Sequence, residues 1–169
     1  MKWQKYGTNS ELDLMVDSDN INNRCKMAEQ GYGLDKLIDD ECYDVYEACT
    51  LSSFWPEFCA DNWKTLINHK YPDIRAAVAE QRYSLDTLID DEHWLVRSAV
   101  AEQGYGLIKL IHDTHRCVRY IVAEQGYGLN KLINDDSRYV RNAVKNYLNE
   151  NNYKSIDDWV NQNQDKIYY

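Results

Sequence analysis

Apolar residues return along this chain in two alternating patterns. In the clearest stretch Val96, Ala99 and Val100 stand at i, i+3 and i+4, a narrow stripe on one face of a helix. Ile74, Ala77 and Val78 repeat it, as do Val118, Ile121 and Val122, and then Val140, Ala143 and Val144. Between the stripes fall shorter apolar pairs, Leu88–Ile89, Leu110–Ile111 and Leu132–Ile133. Each pair predicts a second element of only one or two turns, 3₁₀ or α-helical. Neither element can bury its stripe alone.

The two patterns belong to one repeated phrase. It runs from Ala28 to Ile38 and again from Ala79, Ala101 and Ala123, the last three starts each 22 residues apart. Stepping back by 22 from Leu88–Ile89 meets Leu66–Ile67, and from Leu37–Ile38 it meets Met15–Val16, a worn first copy. Self-similarity at this period is the signature of stacked repeats whose neighbours share one core. The punctuation agrees. Asp91, Asp113 and Asp135 precede the longer helix and are placed to accept from its free amides. Pro72 falls in a first turn, where its missing N–H costs little. Gly31, Gly104 and Gly126 follow the last helical residue and suit a left-handed C′ position, with Arg82 in that place in one copy.

The expected fold is all-α, a right-handed solenoid of about six 22-residue helical pairs forming one domain over 1–169. Residues 1–27 make an atypical first unit, 28–144 the array, and 145–169 a cap built on Ile156, Trp159 and Val160. The run Asp91, Val96, Arg97, Ala99, Val100 and Ala101, with its counterparts 22 residues on, resembles the HEAT-like repeats. Among these it is most similar to the leucine-rich-repeat-variant type, with alternating α and 3₁₀ helices. The resemblance covers roughly residues 12–148 and implies a protein-binding scaffold, some relatives binding nucleic acid. A shared fold does not transfer a function.

Charge and chemistry narrow the classes. The net charge is −9 over 169 residues, which argues against direct nucleic-acid binding, since that relies on Lys and Arg neutralising phosphates. A protein partner with a basic surface fits better. The alternative is a nucleic-acid-related role, as an acidic mimic that inhibits a nucleic-acid-binding enzyme or as a binder through an arginine ladder. The five cysteines form no C-x-x-C pair, so neither a disulfide framework nor a cysteine zinc site is encoded. His112, Asp113 and His115 lack the spacing of a helical zinc motif. No phosphate loop, nucleophile elbow or cofactor motif is visible, and the expectation is a protein that is not an enzyme and carries no cofactor. The opening Met1-Lys2-Trp3-Gln4-Lys5-Tyr6 lacks the apolar core of a signal peptide, and no membrane-length run follows, so a soluble, cytoplasmic chain is expected, and the polar ends of the array point to a monomer.

Three features are candidates for contact with a partner. Arg24, Arg75, Arg97, Arg119 and Arg141 recur in register. They either grip carboxylates or phosphates of a ligand, or tie down aspartates and helix ends of adjoining units. Tyr32, Tyr83, Tyr105 and Tyr127 form a second ladder, either an exposed stripe or packing over the loops. The third is the irregular unit, where Leu37 and Leu66 stand 29 residues apart, seven more than the period. Insertions of this kind often map to a binding face. There Phe54, Trp55 and Phe58 sit near Asp44, Tyr46, Glu47, Glu57 and Asp61, an aromatic centre with an acidic rim. The competing reading is that the insertion lengthens a helix and its rings fill the gap.

Overall fold

The paired elements form as the periodicity requires. In the computed structural model, which describes residues 10–168, every element is helical, with thirteen α-helices and one short 3₁₀ turn among those residues. The opening hexapeptide 1–6 and Tyr169 lie outside the described residues. The chain divides into two compact units, one ending at Gln81 and the other starting at Arg82.

The first unit holds α1 (Ser10–Val16), α2 (Ile21–Glu29), α3 (Leu34–Leu37), α4 (Tyr43–Leu51), α5 (Trp55–Leu66) and α6 (Pro72–Glu80). The longer helices pack in series, α2 on α4 and α4 on α6. Their stripes (Met27 and Ala28, Val45 and Cys49, Ile74 and Val78) are buried, and Leu34 and Leu37 of α3, which packs on α2 and α4, are buried with them. The second unit holds α7 (Leu85–Leu88), α8 (Trp94–Glu102), α9 (Leu107–Leu110), α10 (Arg116–Glu124), α11 (Leu129–Leu132), α12 (Arg138–Glu150) and α13 (Ile156–Gln162). Here α8 packs on α10 and α10 on α12, with Val96, Val100, Val118, Val122, Val140 and Val144 all fully buried. Trp159, also fully buried, belongs to α13, which packs on α11.

The short elements are single α-helical turns rather than 3₁₀. Ile89, Ile111 and Ile133 each donate four residues back, at 2.9–3.0 Å. Before each turn comes a second left-handed residue that the repeat phrase hides. Gly104 and Gly106 have φ of 70° and 61°. In the preceding loop those places belong to Arg82 and Ser84, with φ of 63° and 52°, so two side chains sit where glycine is favoured.

The predicted aspartate caps act one step earlier than expected. The Asp91, Asp113 and Asp135 carboxylates accept from the backbone N–H of His93, His115 and Ser137, each at 2.8 Å. Those three residues are themselves the N-caps, so the aspartate fixes the entry turn and not the first helical amides.

The insertion also has a structural outcome. Where a regular copy has a four-residue helix, the irregular one has α5, with 12 residues. Trp55, Phe58, Cys59 and Leu66 are buried along one face of it, interrupted by the half-buried Asn62. The seven extra residues therefore extend a helix.

Candidate partner-binding surface

The arginine ladder is directed inward. Arg97 Nε and Nη2 donate to the two carboxylate oxygens of Asp113 at 2.5 and 2.9 Å. Its Nη1 donates to the carbonyls of Asp91 and Glu92 at 2.7 and 3.0 Å. Arg119 repeats this with Asp135 (2.7 and 2.9 Å) and adds Asp136 at 2.6 Å. Arg24 does the same with Asp40 at 2.7 and 3.2 Å. Each pair spans 16 residues, so the arginine of one helix locks the entry turn of the next.

Burial alone would raise the Asp40, Asp113 and Asp135 carboxyls, yet the guanidinium and the turn amide hold all three below the usual range. In Arg119 all five N–H donors are used this way, and in Arg24 and Arg97 the Nε–Nη2 edge that would take a phosphate is already filled by a carboxylate. Arg75 is buried and donates to the His69 carbonyl at 2.7 Å. Arg141 keeps only the carbonyl half of the pattern, to Asp135 and Asp136 at 2.6 and 2.9 Å.

The tyrosine ladder does not behave as one stripe. Tyr32 is buried and donates to Asp13 at 2.6 Å. Tyr83 and Tyr127 are half-buried, while Tyr105 is exposed.

The irregular unit separates into two layers. Trp55 is 2% exposed and its Nε1 donates to the Ala77 carbonyl at 3.4 Å; Phe58 is 2% exposed as well. Tyr46 is buried, stacked on Tyr71 with ring centroids 4.3 Å apart. Phe54 lies half-buried against Gly31, where a Cβ would run into its ring. The expected exposed aromatic centre is therefore mostly core, because an i, i+3 pair of large rings on a lengthened helix faces its neighbours. Glu57 is exposed on the first turn of α5.

The predicted rim residues Asp44, Glu57 and Asp61 are exposed, but the site read from the sequence left out the large apolar residues that reach solvent. Leu51 is 78% exposed, Tyr43 49% and Ile21 43%. Ile21 and Leu51 line a groove of about 410 Å³ together with Glu29, Asp44 and Glu47 from α2 and α4. Tyr43 donates to Glu47 at 2.7 Å, and that carboxylate pushes the phenol up to about 12. A second hollow of about 660 Å³ brings Asp13, Asp17, Asp35 and Asp61 around Tyr32 and Phe58. Its Lys36 is already paired with Asp17. The expected acidic set is thus divided, Asp44 and Glu47 in the groove, Asp61 in the hollow.

Chemistry beyond binding finds little footing. Burial pushes the thiols of Cys49 and Cys59 up to about 12, far from a reactive thiolate. Among the described residues no group of three His, Cys, Asp or Glu is placed to hold a metal, and no helix is long and apolar enough to cross a membrane. In comparisons with known proteins, no family model, curated protein or solved structure matches the chain.

Proposed function

We propose that the chain is a non-enzymatic, cytoplasmic interaction scaffold of the HEAT-like repeat type whose acidic groove binds a basic amphipathic segment of a protein partner. The groove between α2 and α4 carries this reading. A monomer gains nothing by holding Leu51 78% exposed beside Ile21 within a rim of Glu29, Asp44 and Glu47. An apolar centre with a charged rim is the usual anatomy of an interface. Tyr46, Trp55 and Phe58 support it from beneath by fixing α4 and α5, and Phe54 sets the turn that joins them.

A partner captured by the wild-type protein should carry a Lys- or Arg-rich amphipathic segment. Leu51→Asp should weaken its binding about tenfold or more, since burying one leucine is worth about 1.5–3 kcal/mol. Glu47→Lys should slow association, most strongly at low salt. Equal affinity of wild type and Leu51→Asp, with helicity intact, would remove the groove from consideration. Displacement of the partner by DNA would favour the nucleic-acid-mimic form of the same acidic surface. Simultaneous binding of DNA and this chain would favour a plain scaffold.

A further inference from the structure

The end of the chain lies across the short helices of the second unit. After the 3₁₀ turn Gln164–Lys166 the backbone is extended at Ile167, with φ −72° and ψ 134°. It is held through its peptide groups. Gly128 N–H donates to the Lys166 carbonyl at 2.9 Å. Asn130 takes one residue from both sides: its Nδ2 donates to the Tyr168 carbonyl at 2.7 Å, and its Oδ1 accepts from the Tyr168 N–H at 3.1 Å. A primary amide paired with the N–H and C=O of one residue recognises extended backbone whatever the side chain.

The Tyr168 ring has its own seat. Its hydroxyl lies 2.5 Å from His112 Nε2, and the Lys131 ammonium stands 4.5 Å from the ring centroid. Of these two neighbours Lys131 is regular and His112 departs from the repeat. Lys36 pairs with Asp17 and Lys109 with Asp90, each 19 residues earlier, whereas the residue 19 before Lys131 is His112. With imidazole in place of carboxylate, the ammonium is turned toward an aromatic face. Asn130 is also unlike its counterparts, Ile108 and Asp86, one and two periods back. Gly128 sits against the tail as well: a Cβ there would come within 3.4 Å of the Tyr168 Cβ, an ordinary contact distance.

We infer that this face of α11 and the α9 end is a binding site for an extended peptide segment, and that the chain's own Lys166–Tyr168 fills it as a tethered competitor. The occupant in trans is a partner segment in extended conformation that carries an aromatic residue, as Tyr168 is carried here. Asn130 binds its backbone, and Lys131 and His112 receive its ring. The surface extends beyond what the tail covers, because Ile108, at the α9 position that Asn130 holds in α11, is 65% exposed. This site is in the second unit and stands independently of the acidic groove in the first.

The probe is a fluorescein-labelled peptide with the sequence of residues 163–169, read by anisotropy against the full-length chain. A tethered tail acts at an effective concentration on the order of millimolar, so it masks the site in the wild type. The full-length Tyr168→Ala variant should bind the peptide at least about tenfold more tightly than the wild type does. Adding Asn130→Ala to it should return binding to the wild-type level or below. A peptide with alanine in place of its first tyrosine should bind about tenfold more weakly, as loss of a stacked ring would give. Equal binding to wild type and Tyr168→Ala, or none to Tyr168→Ala with its circular dichroism intact, overturns the proposal. Amide exchange of Gly128 in the unmodified chain needs no variant: protection is expected, and exchange at the rate of an open loop overturns the tethered seat.

Discussion

The two compact units are built from the same repeat and use their charges differently. Residues 82–169 carry 11 Lys and Arg against 13 Asp and Glu, close to balance. There the Arg97–Asp113 and Arg119–Asp135 pairs follow each other at one period, and both carboxylates are nearly buried, at 6% and 7% exposure. Residues 1–81 carry 8 Lys and Arg against 15 Asp and Glu. There the ladder arginine of α4 has become Tyr46, the short helix has become α5, and Glu29, Asp44 and Glu47 rim a groove. Regular repetition uses a carboxylate to join one unit to the next. Where the register breaks, the carboxylates are left to face outward. The acidity of the chain is thus concentrated where its repeat is least regular.

Removing one carboxylate of each kind should separate the two uses of charge. Asp113→Ala strips Arg97 of its partner and frees the His115 amide. Arg97 keeps its two carbonyl bonds, and loss of the charge-assisted pair at this part-buried site costs about 1.5–3 kcal/mol, which chemical denaturation would show directly. Asp44→Ala, on an exposed face, should stay within about 0.5 kcal/mol of wild type while weakening the partner. Acid titration adds the sign. The Asp113 and Asp135 pKa values are lowered in the folded chain, so their contribution is complete above the ordinary carboxyl value of 3.8. It is lost as the pH falls through the depressed folded values. Melting temperature should therefore drop steeply below about pH 4, and Asp113→Ala should flatten that drop. A comparable loss for Asp44→Ala would erase the distinction between the two units.

Much of the fold was legible because repetition multiplies a weak signal. One trio such as Val96, Ala99 and Val100 predicts a helix poorly; four copies in register predict helices and their stacking. The left-handed positions at Gly31, Gly104, Gly126 and Arg82 were legible for the same reason. The Arg–Asp pairs were within reach as well, since 24 and 40, 97 and 113, 119 and 135 share one spacing. The candidate site was less legible. Seven inserted residues have no period of their own, and composition does not distinguish a ring that anchors a partner from one that fills a core. Trp55 and Phe58 proved to be the second kind, and Leu51, at the end of α4, fell outside any stripe. Asn130 and His112 differ from their counterparts in other copies, but nothing in that difference points to Tyr168, because the Asn130 bonds are made to backbone.

A smaller effect tests the loops that join the helix pairs. Gly104→Arg would place in one copy the residue that Arg82 supplies in another. A Cβ at position 104 meets nothing within 4 Å, so the cost is backbone strain alone. That cost is about 1–2 kcal/mol for a left-handed residue other than glycine. Arg82→Gly should recover less, about 0.5 kcal/mol, because glycine also gains freedom in the unfolded chain. Arg82 would in addition give up its exposed bonds to Gln103 at 3.2 and 3.3 Å. Calorimetry of both variants should show opposite shifts in melting temperature. Shifts of one sign would mean that the two loops are not equivalent.

The smallest expected effect concerns the pairs that the two units share. Lys36 with Asp17 belongs to the first unit and Lys109 with Asp90 to the second, all four side chains being 51–68% exposed. Exposed pairs of this kind contribute about 0–1 kcal/mol and are screened by salt. Lys36→Ala and Lys109→Ala should therefore lower stability by the same small amount, and the loss should vanish at high ionic strength. Equal effects would place the difference between the units in the inner Arg–Asp ladder and the groove, where the two sequences diverge. A larger loss for Lys36→Ala would point elsewhere. Lys36 lines the hollow of Asp13, Asp17, Asp35 and Asp61, and its ammonium would then be balancing all four carboxylates. A salt-dependent gain in affinity of Lys36→Ala for a basic peptide would locate the acidic docking surface in that hollow rather than between α2 and α4.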